Sequence, residues 1–226
     1  MSKSLEKLPL FPLHLVLFPY VSVRLHIYEE RYSEMVRDCV ENQTPFGIVL
    51  VRKDAETLGH PEIFMVGCAV RVVGVHHING GKMDIQVLGI RRFRVRKLDE
   101  SDALLAGWVE PLDDDSDEQS EHLAALQQTL IARFRDFLAA YSGRVEESLE
   151  EHLPDEPEAL SFALSALLPI ELKDKQLLLE CTNTIDRMEQ LIGLYESVAL
   201  NSEENPSNLF PHRLTSAERE PWISQN

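Results

Sequence analysis

Outside one stretch at Glu29–Asn42, apolar residues of the first half of the chain fall in alternating or short continuous runs, and those of the second half recur at every third or fourth position. The change falls near residue 112. A period of two marks strands with one buried face, and a spacing of three and four marks helices. A chain that switches once folds into a strand-built part followed by a helix-built part. Charge breaks at the same place. Residues 1–111 hold 14 Lys/Arg and 14 Asp/Glu, whereas residues 112–226 hold 8 and 24, so the second half carries the whole net charge of −16. Such a surface suits phosphates poorly, because counterion release needs clustered Lys and Arg.

A secretory leader or membrane span would have to lie in KLPLFPLHLVLFPY, residues 7–20. Glu6 and Lys7 precede a run broken by Pro9, Pro12 and Pro19, whereas a leader needs an unbroken apolar stretch of roughly 7–15 residues. Leu8 to Arg24 is also shorter than the roughly 18–20 residues that span a bilayer as a helix. Prolines favour extended backbone on either side. Leu8–Phe11 is therefore expected as a strand, Leu13–Phe18 as a second extended piece, and Pro19-Tyr20 as a turn. Cys39, Cys68 and Cys181 are odd in number and match no disulfide or metal-ligand spacing. That predicts a reducing compartment, the cytoplasm. No metal, no cofactor and no membrane contact are expected.

Val21–Ile27 alternates as a half-buried strand, and Glu29–Asn42 has the spacing of an amphipathic helix with an acidic start. Phe46–Val51, Phe64–Val75, Lys82–Leu88, Arg92–Leu98 and Leu104–Glu110 read as strands, with a turn at Asn79-Gly80-Gly81. Six or so strands and one helix in this length suggest a closed or nearly closed barrel. Beyond it, Ser116 and Gln119 form a capping box for a long helix ending near Gly143. Pro157 opens a second helix that stops before Pro169, Glu171–Cys181 is a third, and residues 185–199 are a fourth. The expected fold class is α+β: a β-barrel with one helix over 1–111, a helical bundle over 112–200, and a polar tail over 201–226.

Seven fragments in order, LPLFPL, VLFPY, LHIYEERY, FGIVLV, VGCAVRV, GIRRFRV and KQLLLE with Arg187 and Leu191, resemble the Lon protease N-terminal domain over roughly residues 8–200. The resemblance implies a PUA-like barrel followed by a helical bundle, and a role in recognising substrate polypeptides. It also implies a stand-alone protein, since no G-x-x-x-x-G-K-[ST] phosphate loop is present and no residues remain for a peptidase. One departure is Tyr20, where the family usually has Gly after Phe-Pro; a positive φ there is costly for Tyr.

No catalytic residues are expected, which leaves a cryptic hydrolase as a rival without a nucleophile–base constellation. The three cysteines read as buried and inert. His76 and His77, adjacent on a strand, point to opposite faces and read as surface hairpin residues. The basic cluster Arg91, Arg92, Arg94, Arg96 and Lys97 raises an RNA-binding PUA-like module as an alternative. It lacks interleaved exposed aromatics, and Asp99, Glu100 and Asp102 follow at once, so Arg92, Arg94 and Arg96 read as a solvated strand face. Glu29, Arg31 and Tyr32 read as scaffold at a helix start. The function expected is polypeptide binding without catalysis, toward a substrate or partner protein, with nucleic acid disfavoured. Phe18, Pro19 and Tyr20 are the candidate peptide-binding residues, as an exposed aromatic turn.

Overall fold

In the computed structural model, which describes residues 5–53, 60–78, 82–115, 120–142 and 153–204, the proline-broken opening forms one strand, β1 (Glu6–Leu13). β2 (Ser22–Ile27), α1 (Glu30–Asn42), β3 (Phe46–Lys53), β4 (Glu62–His77), β5 (Met83–Asp99) and β6 (Ala106–Pro111) follow. Among the described residues the helices α2 (Ser120–Ser142), α3 (Pro157–Leu167), α4 (Leu172–Glu180) and α5 (Thr184–Glu204) come next. The fold is mixed α+β, and the chain divides into two compact units, Met1–Asp113 and Asp114–Asn226. The turn at 79–81, the capping box at Ser116 and Gln119, Gly143 and residues 205–226 lie outside the described residues.

The six strands form one sheet in the order β2-β5-β4-β3-β1-β6, and β5 also pairs with β6. Pairing therefore runs in a ring from β5 through β4, β3, β1 and β6 back to β5, with β2 added along the N-terminal half of β5. β5 is a single strand where the sequence suggested two, Lys82–Leu88 and Arg92–Leu98. An extra residue, Ile90, sits between the pairings Val70↔Gly89 and Ala69↔Arg91, so the strand bulges there and continues.

β1 has neighbours on both edges and still holds two prolines, because each neighbour covers only half of it. Residues 6–9 pair with β6 and residues 10–13 with β3. The Leu10 N–H donates to the Leu105 carbonyl at 2.8 Å. Alternation along the strand then aims the missing N–H of Pro9 past the end of the β3 pairing, and that of Pro12 past the end of the β6 pairing. Neither proline removes a ladder bond.

The inner face packs Leu8, Leu10, Val49, Ile63, Ala69, Phe93, Val95, Leu105 and Val109 into one cluster. Phe93 fits because Gly47 and Gly67 leave it room: a Cβ on either would come within 2.8 Å of its ring. The other face is buried too, which is why Phe46–Leu50 is apolar throughout. Helix α1 covers it, with Tyr32 stacked on Phe11 at 4.1 Å between centroids.

The segment Leu13–Phe18 was expected to be extended in strand fashion. Leu13 instead ends β1, and His14–Phe18 is an irregular loop that buries Leu17 and Phe18. In the second unit, Glu156 caps α3 by accepting from the Ala159 N–H at 2.7 Å, with Pro157 in the first turn. Phe134 and Phe137 of α2 meet the Tyr195 ring of α5 edge-on at 5.9 and 5.6 Å. The Tyr195 hydroxyl donates to the Leu164 carbonyl at 2.8 Å, and burial holds its proton on well above the ordinary range.

Candidate functional site

The turn that ends the opening stretch is locked to the sheet. Tyr20 has φ 65°, the left-handed conformation that Gly adopts without strain and Tyr does not. Its N–H donates to the Gly89 carbonyl at 2.8 Å, and the Gly89 N–H donates to Val21 at 2.9 Å. A Cβ on Gly89 would lie 2.2 Å from the Phe18 carbonyl oxygen, so glycine is required for this approach. Phe18 is 0% exposed and Pro19 is buried, while Tyr20 is 45% exposed. The expected aromatic pair on the surface is therefore reduced to Tyr20, because the Phe18 ring is needed to fill the space over the sheet.

The basic cluster is dispersed in the same way. Arg91 pairs with Glu6, and Arg96 with Glu110 at 2.5 Å. Arg92, read as solvated, is 2% exposed. Its row across the sheet is Ile48–Cys68–Arg92, on the face that α1 and the Phe18 loop cover rather than on a face open to water. Three of the five basic residues are thus paired with carboxylates or buried, which counts against a phosphate-binding surface. Nearby, hydrogen bonds from Lys7 and Ser101 hold the Asp99 carboxyl well below the usual range.

Arg31 donates to Glu29 at 2.9 Å and to the Ala103 carbonyl at 3.2 Å, and its guanidinium lies 4.7 Å from the Tyr32 ring centre. These contacts make Glu29, Arg31 and Tyr32 a fastening for the start of α1, as the sequence suggested. Burial pushes the Cys68 thiol up to about 12 and raises that of Cys39. Cys181 follows α4 rather than lying within it. His76 and His77 are both exposed, and among the described residues no three His, Cys, Asp or Glu side chains converge as metal ligands would.

The second unit contains an extended buried polar arrangement. Arg187 is 0% exposed, and every guanidinium N–H has a partner in the fold. Nε donates to Ser161 Oγ at 2.8 Å, one terminal nitrogen to Asp114 Oδ1 and the Cys181 carbonyl, and the other to Asp114 Oδ2 at 2.6 Å and to Thr184 Oγ1. The Phe162 ring centre lies 4.0 Å from the guanidinium carbon. Asp114 also accepts from the Thr184 hydroxyl at 2.5 Å, and the Asp115 N–H donates to the Thr182 carbonyl. This network fastens the segment after β6 to the corner between α4 and α5. Lys175 donates to the Ala166 carbonyl at 2.7 Å at the C-terminal end of α3, and burial pushes its ammonium down to about 8. An open groove of about 350 Å³ lies between α2 and the start of α3, lined by Gln127, Ile131, Arg135, Leu153, Pro154 and Leu160.

Residues 7–196, which take in both units, match the family model of the ATP-dependent protease La (LON) substrate-binding domain. The chain belongs to this family. It is 24% identical over 86% of its length to the Lon protease of Desulforamulus reducens, and 23% identical over 97% to that of Escherichia coli K12. It spans about a quarter of those proteins, 24% and 28% of their lengths. Among solved structures it resembles the Lon N-terminal domain protein from Xanthomonas campestris, at 28% identity and TM-score 0.56. That match covers 83% of this chain and 98% of the other. The N-terminal domain of a Mycobacterium avium complex Lon protease shares the fold at 16% identity and TM-score 0.62, over 84% and 98% of the two chains. No helix among the described residues is long and apolar enough to cross a membrane.

Asp114 is the residue of this Lon substrate-binding domain that sequence reasoning passed over, because it stands in the run DDDSD and looks like one solvated acid among several. A signal was present on the other side of the pair. Arg187 precedes Met188 and Leu191 on the apolar stripe of α5, and a cation on such a stripe needs a buried partner.

Proposed function

We propose that this chain is a non-catalytic polypeptide-binding module, built as a PUA-like barrel followed by a helical bundle, that engages substrate or partner proteins. The observation that carries the reading is the match to the Lon substrate-binding family across both units rather than across one. Closure of the strand pairing into a ring supports the barrel, and the packing of α2 on α5 supports the bundle. The pairing of Arg91 and Arg96 with carboxylates and the burial of Arg92 support a protein client over a nucleic acid. Tyr20, held exposed in a strained turn, remains the part of the Phe18-Pro19-Tyr20 candidate that a client could touch, since strain of this kind is kept where the surroundings over-determine it.

The test is binding of a permanently unfolded protein, reduced and carboxymethylated lactalbumin, followed by fluorescence anisotropy with the native, disulfide-bonded form as control. Saturable binding of the unfolded form alone is expected. Equal binding of both forms, or of neither, overturns the reading.

A further inference from the structure

Strand β3 stops pairing with β4 at Phe46↔Val70, yet β4 runs on to His77. Over that stretch β5 is its one paired strand among the described residues. The Ile78 N–H donates to the Lys82 carbonyl at 2.8 Å. Bonded positions alternate in an antiparallel pair, so Gly74 and His76 turn their backbone groups toward β5, and Val75 and His77 turn theirs outward. An extra residue between Val72 and Gly74 bulges the strand and closes this open length on one side. Val73 is 53% and Val75 39% exposed beside it. Arg71 and Lys82, both exposed, flank it, while the nearby carboxylate of Asp84 is engaged by His26 at 2.6 Å.

An edge that presents free N–H and C=O groups is a template for another strand. Peptides recognised this way draw affinity from main-chain bonds and specificity from alternate side chains. We propose that the β4 edge at Val73–His77 takes up an extended polypeptide segment of alternating aliphatic and acidic residues as an added strand. Aliphatic side chains of the segment cover Val73 and Val75, and acidic ones answer Arg71 and Lys82. A second copy of this edge fits poorly as occupant, because Val73–His77 carries no acidic residue to answer Arg71 and Lys82. This inference rests on the polypeptide-binding reading above and names its contact and its client class.

The experiment titrates the full chain into a fluorescein-labelled peptide of alternating Val and Glu and reads anisotropy. Val75→Pro removes one outward N–H and no bond to β5. It should weaken binding about fivefold or more, the worth of one main-chain hydrogen bond, while Val75→Thr should bind as the wild type does. A peptide N-methylated at alternate residues should weaken binding to the wild type similarly, which carries the test even where Val75→Pro disturbs the fold. The edge assignment is overturned when both Val75→Pro and the N-methylated peptide leave affinity unchanged. It is overturned equally when the unfolded lactalbumin binds the wild type and the Val/Glu peptide does not; polypeptide binding then stands and the site is elsewhere. Failure of both ligands ends both readings.

Discussion

Arg96 and Glu110 of the sheet unit meet with side chains 53% and 21% exposed, whereas Arg187 and Asp114 of the helical unit meet at 0% and 7%. The two pairs have nearly the same length, 2.5 and 2.6 Å, and very different consequences. At the surface, water solvates either charge when its partner leaves, so the pair contributes little. In the interior nothing replaces the lost partner, and the cost is that of a buried unpaired charge. The sheet unit is held by strand pairing and by glycines placed where backbone or a ring must come close. Part of the helical unit is held by a polar cluster that works only when complete.

The comparison breaks most plainly at Asp114. Asp114→Ala strands the Arg187 guanidinium and should cost about 3–5 kcal/mol in urea-unfolding free energy. Pairing it with Arg187→Met should recover much of that loss. A single substitution that costs under 1 kcal/mol would show that water reaches the cluster.

Lys175 sharpens the same contrast through pH. Its folded pKa is depressed by burial to about 8, so the folded state releases a proton that the unfolded state keeps up to its ordinary 10.5. Stability from this residue is therefore lowest below pH 8 and rises as pH climbs toward 10.5. Relative to Lys175→Met, the wild type should gain on the order of 2 kcal/mol across that window, read as the difference between their urea midpoints at pH 7.5 and 10. A constant difference would mean that the Ala166 carbonyl and the helix terminus fully offset the burial.

The smallest effect is expected at the surface pair. Arg96→Gln should leave the melting midpoint almost unchanged, and what change there is should shrink further in 1 M salt. Thermal melts at two salt concentrations check it. A larger, salt-independent loss would place Arg96 in the class of Arg187.

How far such features can be read in sequence depends on whether their cause is local. The alternation of Val66 to Val72, the helical spacing of α1 and Pro157 at the start of α3 are local, and each element formed where its pattern lay. The continuity of β5 was hidden because the alternation lapses between Leu88 and Arg92, over a stretch that opens with Gly89. Its reason is the Phe18 carbonyl, distant in the chain. Arg92 was misread for the same cause: alternation tells which face a residue takes, not which face another segment will cover. Phe18 and Pro19 were placed at the turn correctly, but a turn does not declare whether its side chains fold inward. The Asp114–Arg187 pair, 73 residues apart, left only the out-of-place cation on α5 as a trace.

The two prolines of β1 bear on how the chain avoids sticking to its own copies. Each lies where a stretch of strand edge has no neighbour, and each withholds the donor that an intruding strand would need first. A nascent or partly unfolded molecule exposes these apolar edges before the ring is complete, and edges of this kind seed aggregates. Pro9 and Pro12 thus act as gatekeepers inside one of the most apolar segments of the sequence, and replacing them with Val or Ile would raise the risk of clumping during synthesis more than it would alter the finished fold.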